Sequence, residues 1–307
     1  MRRIFLDANI YLEFYQGLKE FEKLLPSLNA VKDDIFVTRQ VRDEIDRNKL
    51  GVTIKALEAL REGVDPKRAG LPALLAIEYK EKFGENWPFS DKSEIESATR
   101  KLSDLVKERI EKVAFSTDEI SAALRNILDG AKECSAEELE KARFRKERGN
   151  PPGKRGDPLG DQLSWEQFKS FLSNGDQVWI ITKDKDYSWN FNGTVFLNPV
   201  LQKELQAAGT AASDIYVFNS LAQALTEISK RAPLATLPTL AVLEEAEKEE
   251  RSAIQYSDPV TQGDCQNCGA PGTTIGHWGR SQYGGLTWQY LCRRCGFRFD
   301  TGDPYDD

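Results

Sequence analysis

The sequence predicts an α/β fold: an open parallel sheet of about five strands with helices on both faces. Short apolar runs recur along the chain and are rich in β-branched and aromatic residues; they are Ile4–Leu6, Ile35–Val37, Val178–Ile181, Val195–Leu197 and Ile215–Phe218. Runs that do not alternate with polar residues are typical of strands that a parallel sheet buries on both faces. Amphipathic segments such as Leu221, Leu225 and Ile228 lie between them, and this alternation indicates an open sheet.

A helical insertion interrupts the strands between about 52 and 148, where apolar residues recur at helical spacing. Two pairs of residues within it have the spacing of a capping box: Ser116 with Glu119, and Ser135 with Glu138. We therefore expect one α/β domain over residues 1–231 that contains this insertion.

The composition excludes several classes of protein. The chain has 307 residues, of which 40% are apolar and 30% charged, and its formal charge is −7. Such a balance suits a globular protein and argues against one that coats nucleic acid by charge alone. Asp7 interrupts any apolar core of a signal peptide, and no stretch approaches the roughly 20 apolar residues that span a bilayer. We expect a cytoplasmic protein with no membrane partner.

Acidic residues stand at the ends of several predicted elements. Asp7 follows the first strand directly, and Asp184 follows the strand Val178–Ile181 after Thr182 and a lysine. Glu44 lies early in the helix after the second strand, and Asp161 begins another helix. Because the carboxyl ends of parallel strands share the edge of a sheet where ligands bind, we expect these four carboxylates to converge.

Clustered carboxylates repel each other, which raises the pKa of at least one of them unless cations are present. Mg²⁺ or Mn²⁺ relieves this repulsion because such cations prefer oxygen ligands. One ion or a pair of ions can activate water and stabilise the leaving oxygen of a phosphodiester, and the sequence leaves their number open. Asp157 competes with Asp161 for the third position, and Asp186 replaces or supplements Asp184 at the fourth. His277 is the only histidine, which excludes a Ser-His-Asp or Cys-His hydrolase mechanism.

Several of these segments resemble the signatures of a known family. Leu6-Asp7-Ala8-Asn9-Ile10, the segment Val41–Ile45 around Glu44, and Ile181–Asp186 resemble those of the PIN-domain nucleases. Gly160–Trp165 resembles the third acidic motif of PIN-like bacterial proteins with a long helical insertion. The resemblance covers about residues 1–230. It implies metal-dependent cleavage of single-stranded or structured RNA by activated water. It also implies the metal ligands Asp7, Glu44, Asp161 and Asp184, with Asn9 and Thr182 supporting the site.

The densest positive segment of the chain runs from Lys141 to Arg155 and leads directly into the proposed acidic site. We expect it to contact the phosphate backbone of a substrate, which would make binding depend strongly on salt. The alternative is a solvated helix end followed by a loop. The residues expected to bind substrate are Arg143, Arg145, Lys146, Lys154 and Arg155.

Four of the five cysteines form two tight pairs near the carboxyl terminus, Cys265 with Cys268 and Cys292 with Cys295. Each pair encloses two residues and precedes a glycine, as in a zinc knuckle. We predict a zinc ribbon over 263–307 that binds one structural Zn²⁺ through four cysteines, after a linker with a charged helix over 232–262. Cys134 stands alone and is expected to be buried or partly buried.

These observations predict a metal-dependent endoribonuclease. A toxin or defence role fits by analogy alone. Two alternatives stay open: a catalytically inactive module that binds RNA or protein, and a structure-specific nuclease that acts on DNA. The sequence does not separate RNA from DNA, because recognition of the 2′-hydroxyl leaves no short motif. A homodimer through the insertion and an inhibitory protein partner are also left open.

Overall fold

The computed structural model of the chain describes residues 1–62, 73–84, 92–153, 159–252, 274–280, 286–292 and 298–304. The chain forms two compact units, Met1–Ile254 and Gln255–Asp307. None of the helices in the described ranges is long and apolar enough to cross a membrane.

The first unit is built on a four-stranded parallel sheet with the strand order β2-β1-β3-β6. Its strands are β1 (Arg2–Leu6), β2 (Ile35–Phe36), β3 (Gln177–Ile181) and β6 (Ile215–Phe218). Leu6 lies beside Ile181, and Ile181 lies beside Phe218. The carboxyl ends of β1, β3 and β6 therefore finish level with each other at one edge. This part of the α/β prediction is confirmed.

Helices surround the sheet. Within the described residues they are α1 (Ala8–Glu13), α2 (Lys19–Glu22), α3 (Leu25–Ala30), α4 (Arg39–Glu62), α5 (Ala73–Phe83), α6 (Lys92–Ala114), α7 (Glu119–Leu128), α8 (Ala136–Glu147), α9 (Gly160–Phe171), α10 (Pro199–Ala207), α11 (Leu221–Arg231) and α12 (Leu240–Ser252). In the described part of 52–148 the regular elements are helices. An isolated β-bridge joins Lys132 of this segment to Thr38.

Both faces of the sheet are buried. Phe5, Val178 and Ile180 project to one face and pack in one apolar cluster with α9 and α10, through Trp165 and Leu201 among others. Adjacent positions on the same strands project to the other face, because side chains alternate along a strand. These residues are also buried: Ile4, Leu6, Trp179 and Ile181. Burial on both faces is the physical reason why these strands read as continuous apolar runs.

Two helix starts test the predicted capping boxes. Ser135 accepts a hydrogen bond from the Glu138 amide, and the Glu138 carboxylate accepts one from the Ser135 amide, so this capping box is confirmed. At α7 the prediction was wrong. Asp118 is the N-cap and accepts from the Ser121 amide, while Ser116 has a φ of 54°.

The fifth predicted strand lies outside the parallel sheet. Residues Val195–Leu197 belong to β5 (Thr194–Leu197), which pairs antiparallel with β4 (Ser188–Phe191) in a separate hairpin. Asn192 and Gly193 connect the two strands with φ values of 52° and 82°. Positive φ at both central residues matches the twist of a tight hairpin. The expectation of a fifth sheet strand is therefore corrected, because the Asn-Gly turn pairs this run with its neighbour in sequence.

The charged helix that we assigned to the linker packs with the first unit, which extends to Ile254. Glu250 of α12 is buried and accepts hydrogen bonds from the Ser220 hydroxyl at 2.5 Å and the Leu221 amide at 2.6 Å. The Glu249 carboxylate accepts from the Glu20 and Phe21 amides, each at 2.9 Å. These acids satisfy free amides at the starts of α11 and α2, which accounts for the docking. The other domain boundaries stay predictions.

The second unit contains a three-stranded antiparallel sheet of β7 (Thr274–Arg280), β8 (Leu286–Cys292) and β9 (Arg298–Pro304). Cys265, Cys268 and Cys295 lie outside the described residues, so the zinc site stays a prediction. In the first unit Cys134 is exposed, contrary to the expectation of a buried thiol.

Candidate functional site

The ends of β1 and β3 are joined by hydrogen bonds at the shared edge of the sheet. The Asp7 amide donates to the Ile181 carbonyl at 3.0 Å, which extends the strand pairing by one residue. The Thr182 hydroxyl donates to Asp7 Oδ2 at 3.0 Å and accepts from the Asp184 amide at 3.0 Å. A single buried hydroxyl thus links two of the predicted acids, and it orients the Asp7 carboxylate.

The acidic turn after β3 is ordered by its own backbone. Asp184 Oδ1 accepts from the Asp186 amide at 2.8 Å, and the Asp184 carbonyl accepts from the Tyr187 and Ser188 amides, each at 3.2 Å. An aspartate that binds an amide two residues ahead forms the side-chain-stabilised turn typical of this residue. This arrangement leaves one oxygen of Asp184 outside the turn contact.

The Asp7 carboxylate is 7% exposed, and its electrostatic environment is unfavourable to a charge. Burial, and then the negative charge of Asp184, raise the pKa of Asp7, hydrogen bonds from Thr182, Ala8 and Asn9 oppose the rise, and the net pKa is about 6. The Asn9 contact is a long one, with Nδ2 at 3.5 Å from Oδ2. A divalent cation would offset both the burial and the repulsion between the carboxylates, so the donor set fits Mg²⁺ or Mn²⁺.

Tyr187 follows the acidic turn and contacts the start of α9. Burial raises the pKa of this phenol well above its usual value, and four carboxylates raise it further. In decreasing order of effect these are Asp161, Asp7, Asp184 and Glu44. The hydroxyl itself donates to the Asp161 backbone carbonyl at 3.5 Å. The phenol remains protonated at neutral pH.

The predicted acids do not form a compact set of metal ligands in the described residues. In the part of the chain that the structure describes, no three Asp, Glu, His or Cys side chains are grouped closely enough to hold an ion. Asp157, the alternative third acid, lies outside the described residues. Asp161 lies in the first turn of α9, as the sequence analysis expected.

A buried ion pair next to the site was missed from the sequence. Lys183, between Thr182 and Asp184, lies with Nζ at 2.5 Å from Glu13 Oε1 and donates to the Glu250 carbonyl at 2.7 Å. Burial raises the pKa of Glu13 to about 8, although Lys183 opposes that shift. The one hint in the sequence was a glutamate at the end of the mainly apolar segment that forms α1, a helix that is almost wholly buried. Through Lys183 the end of α12 is attached to the acidic turn.

The predicted substrate-binding arginines behave differently from each other. Arg143 is exposed and pairs with Glu140 at 3.2 Å. Arg145 is 4% exposed; its Nε donates to Glu166 at 2.7 Å and its Nη2 to Glu204 at 2.5 Å. The expectation that Arg145 binds substrate is corrected, because its donors are used inside the fold. Lys146 lies on α8 with Arg143, whereas Lys154 and Arg155 lie outside the described residues.

Comparison with known proteins places this site in a family. A family model for the PIN domain matches residues 4–187. The matched segment begins in β1 and ends at Tyr187, so it contains all four predicted acids. No curated protein and no solved structure matches the chain.

Proposed function

Because the chain belongs to the PIN-domain family, whose members are generally metal-dependent nucleases, we propose that it is an endoribonuclease that hydrolyses phosphodiester bonds with Mg²⁺ or Mn²⁺. The observation that carries the proposal is the hydrogen-bonded link from Asp7 through the Thr182 hydroxyl to the Asp184 amide at the carboxyl edge of the sheet. Asp7, Glu44, Asp161 and Asp184 would hold the ion, with Asp186 as a supplementary ligand. A bound ion supplies Lewis-acid activation of water and neutralises charge that develops on the phosphate.

The chain's own groups would prepare this site before substrate arrives. The Thr182 hydroxyl orients Asp7, and the amide of Asp186 holds Asp184 in its turn. Tyr187 contacts the backbone of Asp161 and attaches the start of α9 to the sheet edge. Lys183 contacts Glu13 and donates to the Glu250 carbonyl, so its ammonium group is engaged within the fold. Such prior positioning lowers the cost of reorganisation during the reaction.

Basic residues of α8 would contribute to binding of the nucleic acid backbone. Arg143 is exposed and pairs with Glu140 on the same helix, and Lys146 lies one turn further along. Lys154 and Arg155 continue this basic segment in the sequence. Phosphate contacts of this kind position a nucleic acid without selecting its sequence.

The carboxyl-terminal unit would be a zinc ribbon. Two pairs of cysteines with two intervening residues, Cys265 with Cys268 and Cys292 with Cys295, suit one tetrahedral Zn²⁺. A site with four thiolates has no open position, so this ion would stabilise the unit rather than take part in hydrolysis.

The test of the nuclease function is cleavage of end-labelled single-stranded RNA and DNA with Mn²⁺, Mg²⁺ or EDTA. We expect cleavage of RNA that requires metal and falls on the order of 100-fold or more in Asp7→Asn, Asp161→Asn and Glu44→Gln. Asp43→Asn is the matched control, because Asp43 precedes Glu44 on the same helix but pairs with Arg39 at the surface. Cleavage that persists in EDTA, or that is equal in all variants, would refute the proposal. Preferential cleavage of DNA would refute the assignment to RNA alone.

A further inference from the structure

The hairpin of β4 and β5 has two different faces. Its register places Trp189 opposite Phe196 and Phe191 opposite Thr194, and cross-strand partners share a face with residues two positions along. Trp189, Phe191 and Phe196 therefore project from the same face, and they are 51%, 69% and 52% exposed. The opposite face carries Leu197, which is buried in the core of the first unit.

This aromatic face is held rigidly beside the acidic turn. The first strand of the hairpin begins at Ser188, whose amide donates to the Asp184 carbonyl at 3.2 Å. The second strand is attached by Asn198, whose side chain donates to the Asp186 carbonyl at 3.4 Å and whose amide donates to the Tyr187 carbonyl at 2.8 Å. Trp189 lies five residues after Asp184, which is at most about 17 Å of extended chain.

The chemistry of the hairpin suits a flat, uncharged ligand group attached to phosphates. Residues 188–197 contain three aromatic side chains and no charged residue, so no carboxylate in the hairpin would repel a phosphate. Lys185, within the acidic turn, is exposed. Aromatic side chains on a fixed scaffold stack against any base, because every base presents a π face.

We propose that Trp189, Phe191 and Phe196 form a stacking platform for the bases of a single-stranded nucleic acid whose backbone passes the acidic site. This inference rests on the proposed nuclease function, since that function explains why a nucleic acid would lie next to the hairpin. The platform would stack against unpaired bases, while the phosphate would lie at the edge of the sheet that carries the carboxylates. Paired bases in a duplex are stacked on each other and unavailable to it.

The test measures binding apart from cleavage. Full-length Asp7→Asn protein, without chelator and without added Mg²⁺ or Mn²⁺, is titrated into a labelled single-stranded RNA, and fluorescence anisotropy gives the dissociation constant. Trp189→Leu and Phe196→Leu keep an apolar side chain but remove the π face. Each should weaken binding about 5- to 150-fold, the range that corresponds to loss of one stacked base. Trp189→Phe should retain most of the affinity.

Two controls separate stacking from other causes. Phe115→Leu changes an aromatic residue that is 78% exposed at the end of the insertion helix α6, and it should leave the affinity unchanged. An abasic oligonucleotide of the same length keeps the phosphates but has no bases. It should bind the parent protein and Trp189→Leu equally weakly.

Unchanged affinity in both leucine variants would overturn the platform. A loss of affinity that persists on the abasic strand would also overturn it, because the hairpin would then act on phosphates or on the fold. If light scattering shows instead that the leucine variants dissociate a dimer while RNA binding is unchanged, the face binds a second copy of the chain and the proposal is wrong. Since the assay needs no cleavage, an inactive protein that still binds through the hairpin would refute only the nuclease function.

Discussion

Arg145 and Arg143 lie two residues apart on α8, and the structure predicts opposite consequences for their loss. Arg145 donates to Glu166 and Glu204 and also to the Pro151 carbonyl, and its side chain is 4% exposed. Removing one partner of a buried ion pair costs about 3–5 kcal/mol because the other charge stays buried. Lys169 lies 3.0 Å from Glu166 and 3.2 Å from Glu204, so it keeps part of the compensation.

We therefore expect Arg145→Ala to destabilise the first unit by about 3 kcal/mol, the lower end of that range. In a unit of this size, one kcal/mol shifts Tm by about 2–4 °C, so the expected fall is roughly 6–12 °C. The matched variant Arg143→Ala removes an exposed pair with Glu140 and should change stability by less than about 0.5 kcal/mol. Arg145→Lys keeps the charge but loses the planar, forked guanidinium, so its loss of stability should lie between those of Arg145→Ala and Arg143→Ala.

The pH dependence gives a second readout of the same network. Burial would raise the pKa of Glu204, but hydrogen bonds from Trp165 and Arg145 outweigh it, and the net pKa lies below its ordinary value of 4.5. For an acid with a lowered folded pKa, the stability is present above the unfolded value and is lost as pH falls through the folded value. The difference in Tm between the parent and Arg145→Ala should therefore shrink as the pH falls below 4.5.

Thermal unfolding followed by circular dichroism, with parallel measurement of RNA affinity, tests this reasoning. Equal Tm values for Arg145→Ala and Arg143→Ala would refute the buried network. A loss of RNA affinity in Arg145→Ala at full stability would restore the original prediction that this residue binds substrate.

Three further predictions concern other parts of the chain. Glu250→Ala leaves buried donors at the start of α11 unsatisfied and should lower the free energy of unfolding, measured with a chemical denaturant, by about 2–4 kcal/mol. The control Glu244→Ala, at an exposed position of α12, should change it little. Equal effects of the two substitutions would contradict the docking of α12. With Asp7 at a raised pKa of about 6, the folded state favours its protonated form, so without metal its contribution to stability falls as pH rises from 3.8 to about 6. Mn²⁺ binds the ionised carboxylate, so the increase of Tm on adding Mn²⁺ should grow as the pH rises from 3.8 to about 6 and should be absent in Asp7→Asn. An increase of Tm that does not depend on pH would refute Asp7 as a ligand. Metal analysis should find one zinc per chain in Cys134→Ser and none in Cys265→Ser, and full zinc in both would exclude the ribbon.

The sequence alone determined the parallel strands and the positions of the acids. Burial on both faces demands continuous apolar runs, so β1, β3 and β6 were visible without knowledge of their neighbours. Asp7 and Asp184 were visible because each follows such a run, and parallel topology brings strand ends to one edge. The Ser135 capping box was equally local, since both of its hydrogen bonds span three residues.

Tertiary structure decided the features that depend on distant partners. Arg145 is buried by Glu166 and Glu204, which lie 21 and 59 residues away, and nothing local distinguishes it from the exposed Arg143. From the sequence, Glu250 belongs to a charged linker. In the structure it accepts a hydrogen bond from the Leu221 amide at the start of α11.

The hairpin shows the same limit at short range. Its run Val195–Leu197 has the composition of a sheet strand, and the Asn192-Gly193 turn turns it back onto Trp189 and Phe191 instead. Tyr187 reaches the Asp161 carbonyl only when the end of β3 and the start of α9 meet. Local pattern determines which residues can form an element, whereas pairing, burial and charge compensation depend on contacts that a linear pattern does not contain.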